Sequence, residues 1–278
     1  MRKTALTRRA RRQPKVQAAE SPRKKESVLE FLASIAGVLA IALYIITFNV
    51  QAFAIPSGSM ENTLLVGDHV FVDRIGFAPP SHFLGPLAPY QPIQRGDIVV
   101  FLHPDPTQAG THVVKRILGV PGDHIRLKDG VVYRNGIALS EPYVRHCARE
   151  NPPCPYIAPF DPYRDNFPDV TPRANDPNVA PYWAASLRSY VRNGELIVPP
   201  GEYFGMGDNR DASLDSRFWG FIPQENVLGR PLFIYWSFET SEAEMMKNAA
   251  ADRVEHVAHV LIHFFDETRW KRTLRLVR

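Results

Sequence analysis

The sequence predicts a mainly β domain tied to a membrane by one N-terminal helix and closed by a C-terminal amphipathic helix. Three features carry that expectation. A basic leader runs directly into an apolar, uncharged stretch over 31–48. Beyond it, short β-branched runs alternate with Gly-Asp, Pro-Gly and Asn-Gly pairs, the punctuation that turns between strands require. Neither a strand–helix–strand rhythm nor an internal repeat is present. With 278 residues, 45% hydrophobic and 22% charged, the chain can fill a sizeable core, which excludes a fibre or a disordered tail and sets one or two domains as the prior.

The leader comes first. Residues 1–26 hold ten Lys/Arg against two acids, so the formal net charge of +4 belongs to the first tenth of the chain and the remainder is acidic on balance. A nucleic-acid binder spreads such charge over a folded face with interleaved aromatics; this leader has no aromatic, and nucleic acid is not expected as a partner. The stretch from Phe31 to Phe48 is about eighteen uncharged residues, long enough as a helix to cross most of a bilayer core. Under the positive-inside rule the leader stays cytoplasmic and everything after Phe48 lies outside. A cleavable secretory signal has the same grammar, and Ala52-Phe53-Ala54 has the small-x-small form of its cleavage site. The apolar run exceeds the usual length of a signal's core, and Ala-x-Ala merges with the next motif, so an uncleaved anchor in the bilayer is the preferred reading.

Strands are expected over 68–77, 97–103, 113–120, 124–127, 131–133, 195–198 and 232–238. Lys128-Asp129-Gly130 and Arg134-Asn135-Gly136 read as hairpin turns. Between Pro142 and Pro181 ten prolines occur; each removes a backbone donor, so this stretch cannot run through the middle of a sheet. It reads as an extended insertion, docked through Tyr143, Tyr156, Phe160, Tyr163, Phe167, Tyr182 and Trp183 rather than left disordered. A helix is expected from about Ser241 to Asp266, with apolar positions 254, 257, 261, 264 and 265 recurring at helical spacing. His256, His259 and His263 share a face opposite to these, which could in principle hold a metal but reads by preference as a solvated polar surface. Cys147 and Cys154 are the two cysteines. Outside the cytoplasm a disulfide is favoured, two free thiols being the alternative, and no further Cys or His completes a zinc set at the usual spacing.

Walker, Gly-x-Gly-x-x-Gly and His-Glu-x-x-His motifs are all missing, so nucleotide binding and zinc proteolysis have no support. Pro56-Ser57-Gly58-Ser59-Met60 is more informative: two serines flank a glycine, where backbone can approach a substrate carbonyl closely. A serine hydroxyl needs a base. Lys115 can supply it, because strand alternation places Val113, Lys115 and Ile117 on one side, and an apolar cleft disfavours the ammonium.

The chain resembles bacterial type I signal peptidases, membrane-anchored Ser/Lys endopeptidases. Four blocks carry the resemblance in order: Ile55–Met60 with Thr63, Leu64, Gly67 and Asp68; Arg95–Phe101; Lys115-Arg116 with Gly119–Asp123; and Gly207–Gly220. It implies a β-rich catalytic domain of that family's type, with Ser59 as nucleophile and Lys115 as general base. It implies that Ser213 orients the lysine amine, that the Ser57 hydroxyl joins the Ser59 N–H in an oxyanion hole, and that Asp215 and Arg217 form an ion pair behind the site. Substrates are then signal-peptide-bearing precursors cut after small-x-small residues. Phe53, Ile55, Met60, Leu64, Val100 and Val114 are candidate walls of shallow pockets, ordinary core packing being the alternative. Where the family often has proline after the nucleophile, this chain has Asn62.

The expected layout is a basic cytoplasmic leader at 1–27, a transmembrane helix at 28–50, a catalytic domain at 51–240 with the Pro-rich insertion at about 142–183, and a C-terminal helix and basic tail at 241–278. The protein is expected in the cell inner membrane as a single-pass monomer, catalytic domain outside, with neither metal nor cofactor. Two other readings share the dyad: a self-cleaving Ser/Lys protease of the repressor type, for which a DNA-binding helix pair is missing, and a membrane-tethered peptide-binding scaffold with an inert dyad.

Overall fold

Ser27 opens the first helix by reciprocal capping: its Oγ accepts from the Glu30 N–H at 3.2 Å while the Glu30 carboxylate accepts from the Ser27 N–H at 2.8 Å. This helix, α1 (Val28–Tyr44), has 17 residues, and its large apolar side chains are exposed. The structure, a computed structural model, describes residues 27–44, 50–74, 91–155, 157–173, 175–247 and 249–278. Among them no helix is long and apolar enough to cross a membrane. The basic leader, the last part of the expected span, the end of the strand expected over 68–77, and Tyr156 lie outside the described residues. The chain divides into two units, Met1–Leu43 and Tyr44–Arg278.

The second unit is β-rich, with strands β1 (Val50–Ala54), β2 (Asp68–Asp73), β3 (Ile98–Leu102), β4 (His112–Gly119), β5 (His124–Lys128), β6 (Val131–Arg134), β7 (Ile137–Ala138), β8 (Val191–Arg192), β9 (Glu195–Ile197), β10 (Glu202–Met206), β11 (Ile222–Pro223), β12 (Val227–Ser237) and β13 (Arg275–Leu276). They form two antiparallel sheets. One runs β1-β2-β12-β3-β4-β10-β11 with β13 beside β12; the other runs β7-β6-β5-β9-β8. The hairpins β5–β6 and β6–β7 turn where expected. Asp129 and Gly130 have φ of 51° and 84°, Asn135 and Gly136 of 53° and 77°, the paired positive φ that a two-residue hairpin turn demands. Asn193-Gly194 turns β8 into β9 in the same way.

Two apolar clusters follow from the alternation. Along β2, Val70 and Val72 are buried while His69 and Phe71 are half-buried; Val70 and Val72 join Ile55, Met60, Leu64, Ile98, Val100 and Ile234 in the smaller cluster. The larger cluster takes Val99, Phe101, Ile117 and Phe204 from the sheets and Tyr163, Phe167 and Trp183 from the Pro-rich segment. That segment is docked and includes two short helices, α2 (Pro162–Asp165) and α3 (Pro181–Ser186). Burying each large aromatic is worth roughly 1.5–3 kcal/mol. Cys147 and Cys154 are joined by a disulfide with Cα atoms 5.3 Å apart, and Phe160 and Tyr182 stay exposed.

The C-terminal region differs from the single helix expected. After α4 (Ser216–Trp219), which lies in the Gly207–Gly220 block, the chain forms α5 (Glu242–Met245) and α6 (Ala250–Ile262). The orientation of α6 also corrects the sequence reading. Val254, Val257, Leu261 and Phe265 are exposed, whereas His256 and His259 meet the buried ring of Phe238 edge-on. The aromatic residues around the end of β12 explain this: Phe238, just past the strand, meets the half-buried His256 and the edge of His259, while of the expected apolar positions only Phe264 packs there, stacked on Trp236.

Candidate active site

Ser59 sits in a one-turn 3₁₀ helix, Gly58–Met60, nine residues before β2 begins at Asp68. Ser57 precedes the turn in extended conformation and makes no capping bond with its hydroxyl. The turn is held from three sides. Its own chain closes over it, Thr63 and Leu64 donating to the Met60 carbonyl at 3.0 and 2.8 Å. Asn209 donates from its backbone to the Ser59 carbonyl at 3.0 Å and from its side chain to the Gly58 carbonyl at 3.3 Å. Downstream, the buried Asp68 carboxylate accepts from the Leu65 N–H, from the Ser237 hydroxyl at 2.6 Å and from Arg272 at 2.5 Å. Gly67 has φ of 82°, and a Cβ there would lie 2.1 Å from the Phe238 carbonyl oxygen, so only glycine passes this point.

Lys115 comes from β4, opposite Val99 of β3. Its Nζ donates to Ser59 Oγ at 2.7 Å, across 56 positions of sequence. Both residues are buried, Lys115 at 3% and Ser59 at 7% exposure. Burial in this apolar surrounding pushes the Lys115 amine down from 10.5 to about 8; Asp215 acts upward, Arg217 downward and Asp208 upward. The shift raises the neutral fraction near pH 7.5 from about one amine in a thousand to about one in four.

Behind the lysine, Asp215 and Arg217 pair through two bonds of 2.8 Å, both nearly solvent-free. Burial alone would raise the Asp215 carboxyl; Arg217 outweighs it, and the net shift is downward. The Asp215 carboxylate also accepts from the Gly207 N–H at 3.2 Å. Ser213 is buried, and its hydroxyl has no hydrogen-bond partner, so the bond to the lysine expected from the resemblance is not formed here. Gly207 explains how closely these parts approach: a Cβ on it would lie 2.3 Å from Ser213 Oγ and 2.5 Å from the Ser59 carbonyl oxygen.

The six apolar residues expected near the substrate fall in one cluster. Met60 and Leu64 are fully buried, Ile55 and Val100 nearly so, while Phe53 and Val114 keep partial exposure. Phe53 meets His112, at the start of β4, with ring centroids 5.1 Å apart and planes tilted by 57°. On its second side β4 pairs with β10 through Arg116, Ile117 and Gly119, so the edge from His112 to Lys115 has no strand partner among the described residues.

Sequence reasoning missed the residues that knit the blocks together. Arg116 forks onto Asp208 with two bonds of 2.8 Å, donates to the Gly96 carbonyl at 3.0 Å and lies 3.9 Å over the Tyr143 ring. Thr63 donates to the same carboxylate at 2.5 Å. Arg145, at the start of the insertion, bonds Glu61 and pairs with Asn209. All but Tyr143, Arg145 and Glu61 lie inside the four blocks, where a charged residue beside a strand was the available signal.

A family model described as signal peptidase, peptidase S26, matches residues 28–236. The signal peptidase I of Buchnera aphidicola subsp. Acyrthosiphon pisum (strain APS) is 32% identical, covering 84% of this chain and 83% of its own. That of Rickettsia typhi is 31% identical over 78% and 84% of the two chains, and that of Pseudomonas aeruginosa 29% identical over 88% and 85%. A solved signal peptidase I from Enterococcus faecalis V583 shares 31% identity and covers 50% of this chain and 97% of that one, with a TM-score of 0.34, too low to define the fold. The ordered blocks, the matched length and these identities together place the chain in the signal peptidase family, peptidase S26, the serine peptidases that remove signal peptides.

Proposed function

We propose that this chain removes N-terminal signal peptides from exported precursors, cutting after small-x-small residues, with Ser59 as nucleophile and Lys115 as general base. The carrying observation is the 2.7 Å approach of a buried lysine amine to a buried serine hydroxyl. The neutral amine takes the Ser59 proton as Oγ attacks the scissile carbonyl. The resulting ammonium returns that proton to the departing amine, leaving an acyl-enzyme. A water then gives a proton to Lys115 as it attacks the ester, and the ammonium hands that proton to Ser59 Oγ as the acyl–oxygen bond breaks, which restores the neutral amine and the free hydroxyl and releases the peptide's new carboxyl terminus. The Ser57 hydroxyl and Ser59 N–H face the developing oxyanion, donors worth about 3 kcal/mol each in such sites. Ser213, buried beside the site with its hydroxyl unpartnered, accepts from the amine only once Lys115 turns toward it during the reaction, and the Asp215–Arg217 pair fixes the block that carries Ser213.

The substrate adds as an extended strand along the open edge of β4 from His112 to Lys115, main-chain bonds giving affinity. Phe53 and Val114 wall its pockets over the buried layer of Ile55, Met60, Leu64 and Val100. The N-terminal apolar segment, of which α1 is the described part, anchors the enzyme in the inner membrane with the basic leader cytoplasmic and the catalytic domain outside. The exposed apolar side of α6 fits work close to that surface.

The test is incubation of the detergent-solubilised chain with a signal-bearing precursor and mass measurement of the product. Cleavage after a small-x-small site, abolished by Ser59→Ala and by Lys115→Ala with folding intact, is expected. Cleavage that survives either change overturns the dyad.

A further inference from the structure

We propose that His259, His263 and Glu267 form a binding site for a divalent transition-metal ion, zinc by preference, which ties the last turn of α6 to the segment that follows it. The sequence reading gave this face to solvent and assigned no metal; Glu267 is what changes the assignment. His259 and His263 stand one helical turn apart, and the His263 N–H still donates to the His259 carbonyl at 2.9 Å. Glu267 follows one further turn on, its N–H donating to the His263 carbonyl at 3.0 Å. The three side chains therefore converge. Nε2 of His259 lies 2.8 Å from one Glu267 oxygen and Nδ1 of His263 lies 3.7 Å from the other. All three donor atoms lie within 4.8 Å of one another.

Bonds of about 2.0–2.2 Å to a tetrahedral zinc separate its donors by about 3.3 Å. The present contacts bracket that spacing, so small side-chain rotations seat an ion without moving backbone. Two imidazoles and one carboxylate suit zinc and its neighbours rather than calcium or magnesium, which prefer oxygen alone. Asp266, 2.9 Å from the His263 Nδ1, is available as a fourth donor, with water as the alternative. The ligands are partly exposed, at 45%, 38% and 31% of their side chains, which leaves a path for the ion.

The set is also held from outside the helix. The His259 ring meets the buried Phe238 ring edge-on at 5.9 Å, the Glu267 carbonyl accepts from the Glu239 N–H at 2.9 Å, and Thr268 bridges to Phe238. An ion at this point fixes the end of the helix where the chain following it already pairs, through Glu267 and Thr268, with Phe238 and Glu239 just past β12. The bound ion would stabilise α6 by mass action, since the ligands converge only in the folded chain.

The test uses the full chain in detergent, prepared without a histidine tag and stripped by dialysis, titrated with zinc chloride by calorimetry and assayed for bound metal by mass spectrometry. One zinc per chain is expected, with affinity weakened at least about tenfold by His263→Gln and, separately, by Glu267→Gln. His124→Gln should leave binding unchanged, because the His124–Glu195 contact of 3.0 Å is a similar exposed pair without a second imidazole. Circular dichroism confirms that each variant is folded. Failure of the parent chain to bind zinc stoichiometrically, binding indifferent to both ligand variants, or calcium binding of equal strength overturns the proposal. Precursor cleavage is not read, so the outcome is separate from that of the dyad.

Discussion

The Tyr163 hydroxyl donates to the backbone carbonyl of Arg217 at 2.5 Å, and the indole of Trp183 donates to the same oxygen at 3.0 Å. Two aromatic residues of the Pro-rich segment thus grip the residue that pairs with Asp215 beside the lysine. The Pro-rich segment is part of the scaffold behind Ser59 and Lys115.

Tyr163→Phe should cost about 1 kcal/mol, the net worth of a buried hydrogen bond, because the indole still satisfies the carbonyl, and Trp183→Phe should cost more, since it also leaves a cavity in the core. The double variant leaves that oxygen without either, and should lose more than the two singles combined. Urea unfolding of the three variants measures this.

Arg116→Met should destabilise by about 3–5 kcal/mol, since it strands the buried Asp208 carboxylate. Replacing Asp208 by Leu as well should recover most of the loss, because no buried charge is then left unpaired. The same unfolding experiment separates the outcomes.

Gly207→Ala should lower kcat sharply. The added methyl has no place between Ser213 and the Ser59 carbonyl, and overpacking of this kind costs about 1–3 kcal/mol while moving the nucleophile. Steady-state kinetics beside a melting curve shows whether activity falls further than stability explains.

Lys115→Met should stabilise the protein at neutral pH. The lysine titrates at 10.5 when unfolded and at about 8 when folded. Between those values the unfolded state binds more protons, so stability rises with pH; below about 8 the whole penalty, about 3 kcal/mol, is present. The variant should gain up to that amount at pH 6–7 and nothing above pH 10.5, as unfolding at several pH values will show.

How much of this was readable in the chain depends on how local the signal is. Asp129-Gly130 and Asn135-Gly136 announce their turns because positive φ is a local preference of Asp, Asn and Gly that needs no distant partner. Lys115 was readable from alternation along β4, which sets its side before any fold is known. The Arg116–Asp208 pair, 92 positions apart, was not, since nothing local tells a buried guanidinium from an exposed one. Nor was the direction of α6: both sides of that helix carry packable rings, and Phe238 and Trp236, far away in pairing terms, decided which side turned inward. Strands β1 and β10 escaped for a similar reason, being defined by partners β2 and β4 rather than by long apolar runs of their own.

The central claim is that a buried, partly neutral Lys115 takes the Ser59 proton, and the pH dependence of kcat/KM on a signal-bearing precursor tests it most directly, because that ratio reports the free enzyme's essential base. The account predicts activity that rises with pH through a single ionisation near 8 and then levels off. A profile flat from pH 6 to 9, or one rising only near the ordinary lysine value, would contradict it.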